Sequence, residues 1–518
     1  VKNDPALGET QSKVGFMTNV QTNYDELLAK YADYSILGSV AELLHWDMQT
    51  IMPPDGGTKR ADQLALISGN MHSRLTSPRI GELLAFLEAR SGELNPDQQA
   101  NVREIGRDYY RATKIPQRLV EDLSRHQSIC HEAWVKARET GDFVQYVPFL
   151  ETMVRLTAEQ AEYLGYKDTP LDALIDEFEP GATAEMFTKL FDELKAVTIP
   201  LVKKIQASPV KAKRDFLERD YPADSQKQFG EEVMRAIGFN MNGGRLDVSV
   251  HPFCSGSYGD VRITTRYNPK APQQAIFGII HESGHALYEQ GADPAHLKTP
   301  LAQALSYGIH ESQSRMWENF VGRGLPFWTH MMPTLKKIFP TQLADVSLDQ
   351  FLLAVNHVEP SLVRVEADEM TYDLHIILRF EIERDLFNGK LLVADLPEAW
   401  NKKMQDYLGV TPPDNGKQGV LQDVHWSGGA FGYFPSYSLG NMAAGQFWYK
   451  MREQMPDMDE KMAKGDFTGI LGWLRENVHR HGRRYSRDDL MIKATGKPLG
   501  TADYCRYLTE KYSALYKI

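Results

Sequence analysis

The stretch His281-Glu282-Ser283-Gly284-His285 limits what this chain can be more than any other. Two imidazoles four residues apart lie one above the other on a single face of an α-helix, close enough to grip one ion from one side. The surrounding pattern predicts a helix from about Gln273 to Gln290. Pro272 suits its first turn, Ile276, Phe277, Ile280 and Leu287 give it an apolar side, and Gly291 is expected to close it in the left-handed conformation. Glu282 stands next to the first imidazole but off the ligand face. It can therefore take a proton from a water in an open coordination position without filling that position itself. Gly284 costs about 1 kcal/mol against Ala inside a helix and would let something approach the helix backbone closely.

Two histidines do not complete a zinc site, so a third ligand is required. The sequence predicts a second helix over Leu301 to Phe320, returning antiparallel after a turn at Asp293-Pro294. It carries Glu311, 26 residues beyond His285. His310 competes, but neighbouring residues point about 100° apart around a helix, and a two-histidine, one-carboxylate set with water in the fourth position favours Glu311. Glu318 and Glu289 are the remaining substitutes.

Composition narrows the class. A net charge of −11 over 518 residues disfavours a nucleic-acid partner and offers no broad basic surface to an anionic membrane. The three cysteines, Cys130, Cys254 and Cys505, are too few and too scattered for a disulfide framework, which points to a reducing, cytoplasmic setting. No apolar run approaches the roughly twenty residues of a membrane span. Residues 1–20 read as a polar tail, and residues 21–518 as a single helical domain. Its helices start at Thr22 with Asp25, at Ser77-Pro78 and at Asn95-Pro96, and a break falls at Met52-Pro53-Pro54. β-like alternation occurs in Arg245 to Val250 and in Val261 to Tyr267, with hairpin-loop composition between them. This predicts a small antiparallel ribbon feeding into the metal-binding helix, with an edge to which an extended peptide could add.

Several motifs together resemble the carboxypeptidase Taq family of zinc metallocarboxypeptidases. They are His251-Pro252-Phe253, Asp260-Val261-Arg262-Ile263-Thr264, His281 to His285, His310-Glu311-Ser312-Gln313, Val363-Arg364-Val365-Glu366-Ala367-Asp368 and Gly419-Val420-Leu421-Gln422-Asp423-Val424-His425-Trp426. They stand in the family's order, and weaker similarity at His45-Trp46-Asp47 and Glu179-Pro180-Gly181 extends the likeness over nearly the whole chain. The resemblance implies an all-α, neurolysin-like saddle with a deep groove, usually a homodimer. It also implies removal of single C-terminal residues from peptides, with His281, His285 and Glu311 on zinc and Glu282 as the general base. Cobalt or manganese would suit the same donors.

Two further roles need residues. An oxyanion needs hydrogen-bond donors, for which His425, Tyr433 and Tyr437 are candidates, Tyr437 being favoured by spacing similar to neurolysin-type enzymes. A free C-terminus needs a cation, best an arginine whose fork matches a carboxylate. Arg364 is the first choice, on an expected helix with Asp368 one turn later. Arg262 and Arg266 on the ribbon are rivals, and His251 joins them as a substrate-binding candidate. Gln422 and Asp423 are expected to orient His425 or a zinc ligand. A neurolysin-type endopeptidase is the alternative reading, and a helical scaffold with structural zinc is a third.

Overall fold

The computed structural model describes residues 19–413 and 416–518, so the expected polar tail falls almost wholly outside it. Helices make up most of the chain. Helix α1 (Val20–Thr50) starts earlier than Thr22 because the Asn19 side chain accepts from the amides of Gln21 and Thr22. The Pro53-Pro54 break then turns the chain into α2 (Gly57–Leu75), which returns along α1. Ser77 and Asn95 stand at the expected helix starts, Asn95 in a reciprocal box with Gln98 and Ser77 without a capping hydrogen bond from its side chain. These N-terminal helices enclose a small core of their own around Leu27, Tyr31, Leu83, Leu84, Leu87 and Ile105. Polar contacts tie it to the rest of the chain: the Tyr31 hydroxyl lies 3.3 Å from Gln303 Oε1, and Arg483 pairs with both Glu104 and Asp108.

The ribbon is built differently from the expectation. There are three strands, β1 (Gly244–Val248), β2 (Cys254–Ser257) and β3 (Asp260–Thr265), in the order β1-β3-β2. The two alternating segments pair parallel, and it is β2, inside the supposed loop, that runs antiparallel to β3. The reason is local. Gly259, at φ +91°, allows a two-residue turn between Ser257 and Asp260, so the hairpin closes there. The Thr264 hydroxyl, bonded by Ser249 Oγ and the Phe253 amide, then holds the Ser249–Phe253 bend that brings β1 to the other side of β3. Edge strand β2 meets both α1 and the metal-binding helix.

That helix, α3, spans Pro272–Glu289. It ends in right-handed backbone at Gln290, and Gly291 is not left-handed; a Cβ there would lie 2.5 Å from His479 Nδ1, so close packing accounts for this glycine. The expected helix over Leu301 to Phe320 is only partly α-helical. Ser306 caps α4 (Tyr307–Arg315), and the chain continues as a π-helical turn, Met316–Val321. Helices α5 (Glu369–Phe387) and α6 (Pro435–Gln454), both buried around most of their circumference, complete the walls of the site. Among the described residues no helix is long and apolar enough to cross a membrane.

Candidate metal centre and its surroundings

Two glycines set how closely the site's helices approach. A Cβ on Gly284 would stand 2.5 Å from the Gln313 carbonyl oxygen and 2.6 Å from Ser314 Cα, so α4 crosses α3 directly over the middle of the histidine motif. A Cβ on Gly440 would stand 2.7 Å from Glu311 Cγ, so α6 presses on Glu311 from the opposite side. Glu311 is thereby driven towards the two imidazoles.

One donor atom from each of His281, His285 and Glu311 lies within 4.8 Å of the others. Glu311 Oε2 is 3.3 Å from His285 Nε2 and 3.8 Å from His281 Nε2. Ligands at about 2.0–2.1 Å from a tetrahedral zinc stand roughly 3.3 Å apart, so little movement would close this set on an ion. The surrounding bonds leave the right atoms inward. His281 Nδ1 is 2.9 Å from Glu318 Oε2, which puts its proton there and turns the Nε2 lone pair inward. Arg315 Nε donates to Glu311 Oε1 at 2.7 Å, and Oε2, which also accepts from Ser314 Oγ at 3.1 Å, faces the histidines. Glu318 sits in the π turn, and its other oxygen accepts from Arg323. His285 Nδ1 is buried with no partner among the described residues. The donors present therefore fit a divalent ion.

Burial and the local charges set the protonation states. Burial pushes the Glu282 carboxyl up to about 7, with Glu311 and Glu318 reinforcing it and His281 opposing. Burial, with His310 and His281 adding to it, drives His285 down to about 3. At His281 burial also disfavours the cation, but Glu311, Glu318 and Glu282 outweigh it and lift the ring to about 9, so without an ion Nε2 is protonated too and ion binding must displace that proton. Glu311 resists burial because Arg315 and the two imidazoles hold its carboxyl well below the usual range. His310 points away from the triad: its ring stacks on His285 at 4.5 Å, and its Nε2 meets Glu289 at 2.9 Å. Glu289 and Glu318 thus contact histidines from behind.

A second buried group lies beside the first. Arg315 stands over the Tyr372 ring at 4.4 Å, and Tyr372 receives a hydrogen bond from Arg364 Nη1. Arg364 is in a short 3-10 turn, not a helix, because the Asp368 side chain accepts from the amides of Met370 and Thr371 and starts α5 beyond it. Its carboxylate partner is accordingly not Asp368 but Asp423, reached by Nε and Nη2 at 3.0 and 2.8 Å. Asp423 also holds the fully buried Arg379, and Gln422 accepts from Arg379 and from the Arg364 amide. Gln422 and Asp423 therefore orient arginines. His425 Nδ1 stays 4.0 Å from Asp423, buried and with no hydrogen-bond partner among the described residues. Burial, with Arg364 and Arg379 adding to it against Asp423, lowers this imidazole to about 4. Tyr437 lies under Arg364 at 5.2 Å, and Tyr433 bridges Tyr437 and His425 at 5.2 and 5.4 Å between ring centroids. Burial raises both phenols.

The other sequence candidates sit apart. Arg262 is forked onto Asp260 and stacked on Trp46 at 4.3 Å. Arg266 and His251 are exposed. Among the described residues no hydrogen bond or ion pair joins these three side chains to the metal group. Sequence reasoning missed Arg315, Tyr372 and Arg379. Arg315 alone left a local signal, four residues after Glu311 on the same helix.

A family model described as "Carboxypeptidase Taq (M32) metallopeptidase" matches residues 26–512. "Carboxypeptidase 1" of Bacillus subtilis is 42% identical over 497 residues, covering 96% of this chain and 98% of that protein. "Thermostable carboxypeptidase 1" of Thermus thermophilus is 43% identical over 505 residues, covering 95% and 99%. The crystal structure of an M32 carboxypeptidase from Deinococcus radiodurans R1 superposes with a TM-score of 0.93 at 40% identity, over 96% of this chain and all of that one.

Proposed function

The chain belongs to the carboxypeptidase Taq (M32) metallopeptidase family and is a metallocarboxypeptidase, and from that premise we propose the roles of its residues. His281, His285 and Glu311 hold the divalent ion the family implies. Zinc suits two imidazole nitrogens and one carboxylate oxygen with a position left open, and cobalt or manganese fits the same donors. The convergence of three donor atoms within 4.8 Å carries this reading. An ion bound there supplies Lewis-acid polarisation of the scissile carbonyl and a water that is nucleophilic near neutral pH.

The remaining chemistry belongs to side chains. Glu282, with its carboxyl at about 7, takes the proton of the attacking water and returns it to the leaving amine. His425, uncharged at neutral pH, and the protonated Tyr437 and Tyr433 supply hydrogen bonds to the oxyanion. Arg364 binds the terminal carboxylate. Three of its five N–H groups are engaged, by Asp423 twice and by Tyr372 once, so one remains on each terminal nitrogen as a fork. Arg262, committed to Asp260, and the exposed Arg266 and His251 line more distant parts of the substrate path. Residues 21–518 act as one helical domain, supported by the ion pairs between its two cores. A homodimer is proposed on the motif resemblance alone, and three free cysteines support a reducing, cytoplasmic setting.

The substrate is a peptide with a free C-terminus; the endopeptidase alternative is not favoured by relatives that are carboxypeptidases. Incubation of one peptide as free acid and as C-terminal amide tests this. The acid is expected to shorten one residue at a time and the amide to resist; internal fragments from both would overturn the reading.

A further inference from the structure

Helix α5 is buried on nearly all sides, yet Tyr372, His375, Arg379 and Glu383 form a polar stripe along it at three- and four-residue spacing. Polar groups in such surroundings are costly unless paired, and the partners of three of them lie on Arg364 or on the segment from Gln422 to Gly432. The last of the stripe, Glu383, is wholly inaccessible. Its Oε1 accepts from the Trp426 indole at 2.8 Å and its Oε2 from the Gly432 amide at 2.9 Å. These donors stand at the two ends of one bend, directly beside His425 and Tyr433.

We propose that Glu383 is a positioning residue that staples both ends of the Trp426–Gly432 bend and so sets where His425 and Tyr433 face the substrate. This rests on the reading of those two residues given above. A carboxyl group suits the task because each of its two oxygens can accept, one for each buried N–H, and both keep a lone pair even when burial, which lifts the group to about 8 against those two hydrogen bonds, leaves it protonated. The Gly432 amide has little freedom to turn elsewhere. Its backbone is left-handed at φ +83°, and a Cβ there would meet the Ile175 nitrogen at 2.6 Å. Trp426 is likewise fixed, edge-on to Trp400 and stacked with Phe431. Losing either hydrogen bond would leave a buried donor unpaired, which the bend can relieve only by shifting.

An amide in place of the carboxyl keeps the volume but serves one donor and opposes the other. Glu383→Gln is therefore expected to lower kcat about ten-fold or more, with KM within about two-fold and full metal content, as misplacement of reacting groups does. Trp426→Phe removes one of the two donors, and in the double variant the single amide oxygen can turn to Gly432. The double variant is expected to recover at least about three-fold in kcat over Glu383→Gln. Trp426→Phe alone, which keeps the carboxyl group, is expected to lower kcat by about three-fold at unchanged KM and metal content, and it carries the test if the glutamine variant fails to fold. An unaltered kcat in either single variant, a double variant no better than Glu383→Gln, or a fall in kcat accompanied by metal loss would overturn the proposal. His425→Ala and Tyr433→Phe measured alongside separate the two levels. If both retain full kcat, the underlying reading fails and the proposal with it; if they are impaired while Glu383→Gln is not, only the proposal fails.

Discussion

The metal group and the arginine group are neighbours of opposite design. Around His281 and His285, the carboxyl groups of Glu282, Glu311 and Glu318 face the guanidiniums of Arg315 and Arg323, with His285 held neutral and His281 held protonated until an ion replaces its proton. Around Arg364 the balance is reversed, Arg364 and Arg379 sharing the single carboxylate of Asp423. A buried charge left without a full partner is expensive, so each imbalance marks where a ligand of the opposite sign belongs. In the first a metal cation takes the place of the proton that the carboxylates hold on His281, and the second calls for an anion. On the proposed reading the pair suits a peptide end, with its last peptide carbonyl at the ion and its terminal carboxylate at the Arg364 fork.

The largest effect that would sharpen the contrast is at Glu282. Glu282→Gln is expected to cut kcat by roughly 10²–10⁴ while the protein keeps its metal, as read by steady-state kinetics beside elemental analysis. Asp423→Asn attacks the other group. Leaving two buried guanidiniums unpaired should cost about 3–5 kcal/mol in denaturant unfolding, with the metal group intact. The same carboxylate has a pH signature. Burial opposes its charge, but Arg379, Arg364 and His425 outweigh that and hold its folded pKa below the usual value. Its stabilising contribution is thus complete above a pH of about 4 and is lost as pH falls towards the folded pKa, so the Asn variant should show a flatter acid limb of stability. Arg364→Lys keeps the charge and loses the fork. It should lower kcat/KM for free-acid peptides by about 10² and narrow the preference for the acid over the amide; an unchanged preference would break the comparison. Glu318→Gln is the mildest, weakening metal affinity by about ten-fold in chelator competition through loss of the carboxylate behind His281.

How much of this was legible depended on range. The histidine motif, Glu282 and the close approach at Gly284 could be read because helical periodicity and glycine are local signals. Glu311 followed from the length of chain needed for one helix to return along another. The sheet was misread because alternation identifies a strand but not its partner or direction, and the turn at Tyr258-Gly259 was absorbed into a supposed loop. Arg364 was placed on a helix although Asp368 and Thr371 carry a capping signal that starts the helix after it. Its partner Asp423 lies 59 residues away, and no spacing rule reaches that far.

Everything above depends on His281, His285 and Glu311 gripping one ion together. Stoichiometry settles it without recourse to activity: wild type and Glu311→Gln are stripped with chelator, reloaded with zinc, desalted and analysed for metal. One ion per chain in the wild type and a stoichiometric loss in the variant are expected. A Glu311→Gln protein that retains a full, tightly held ion would contradict the account.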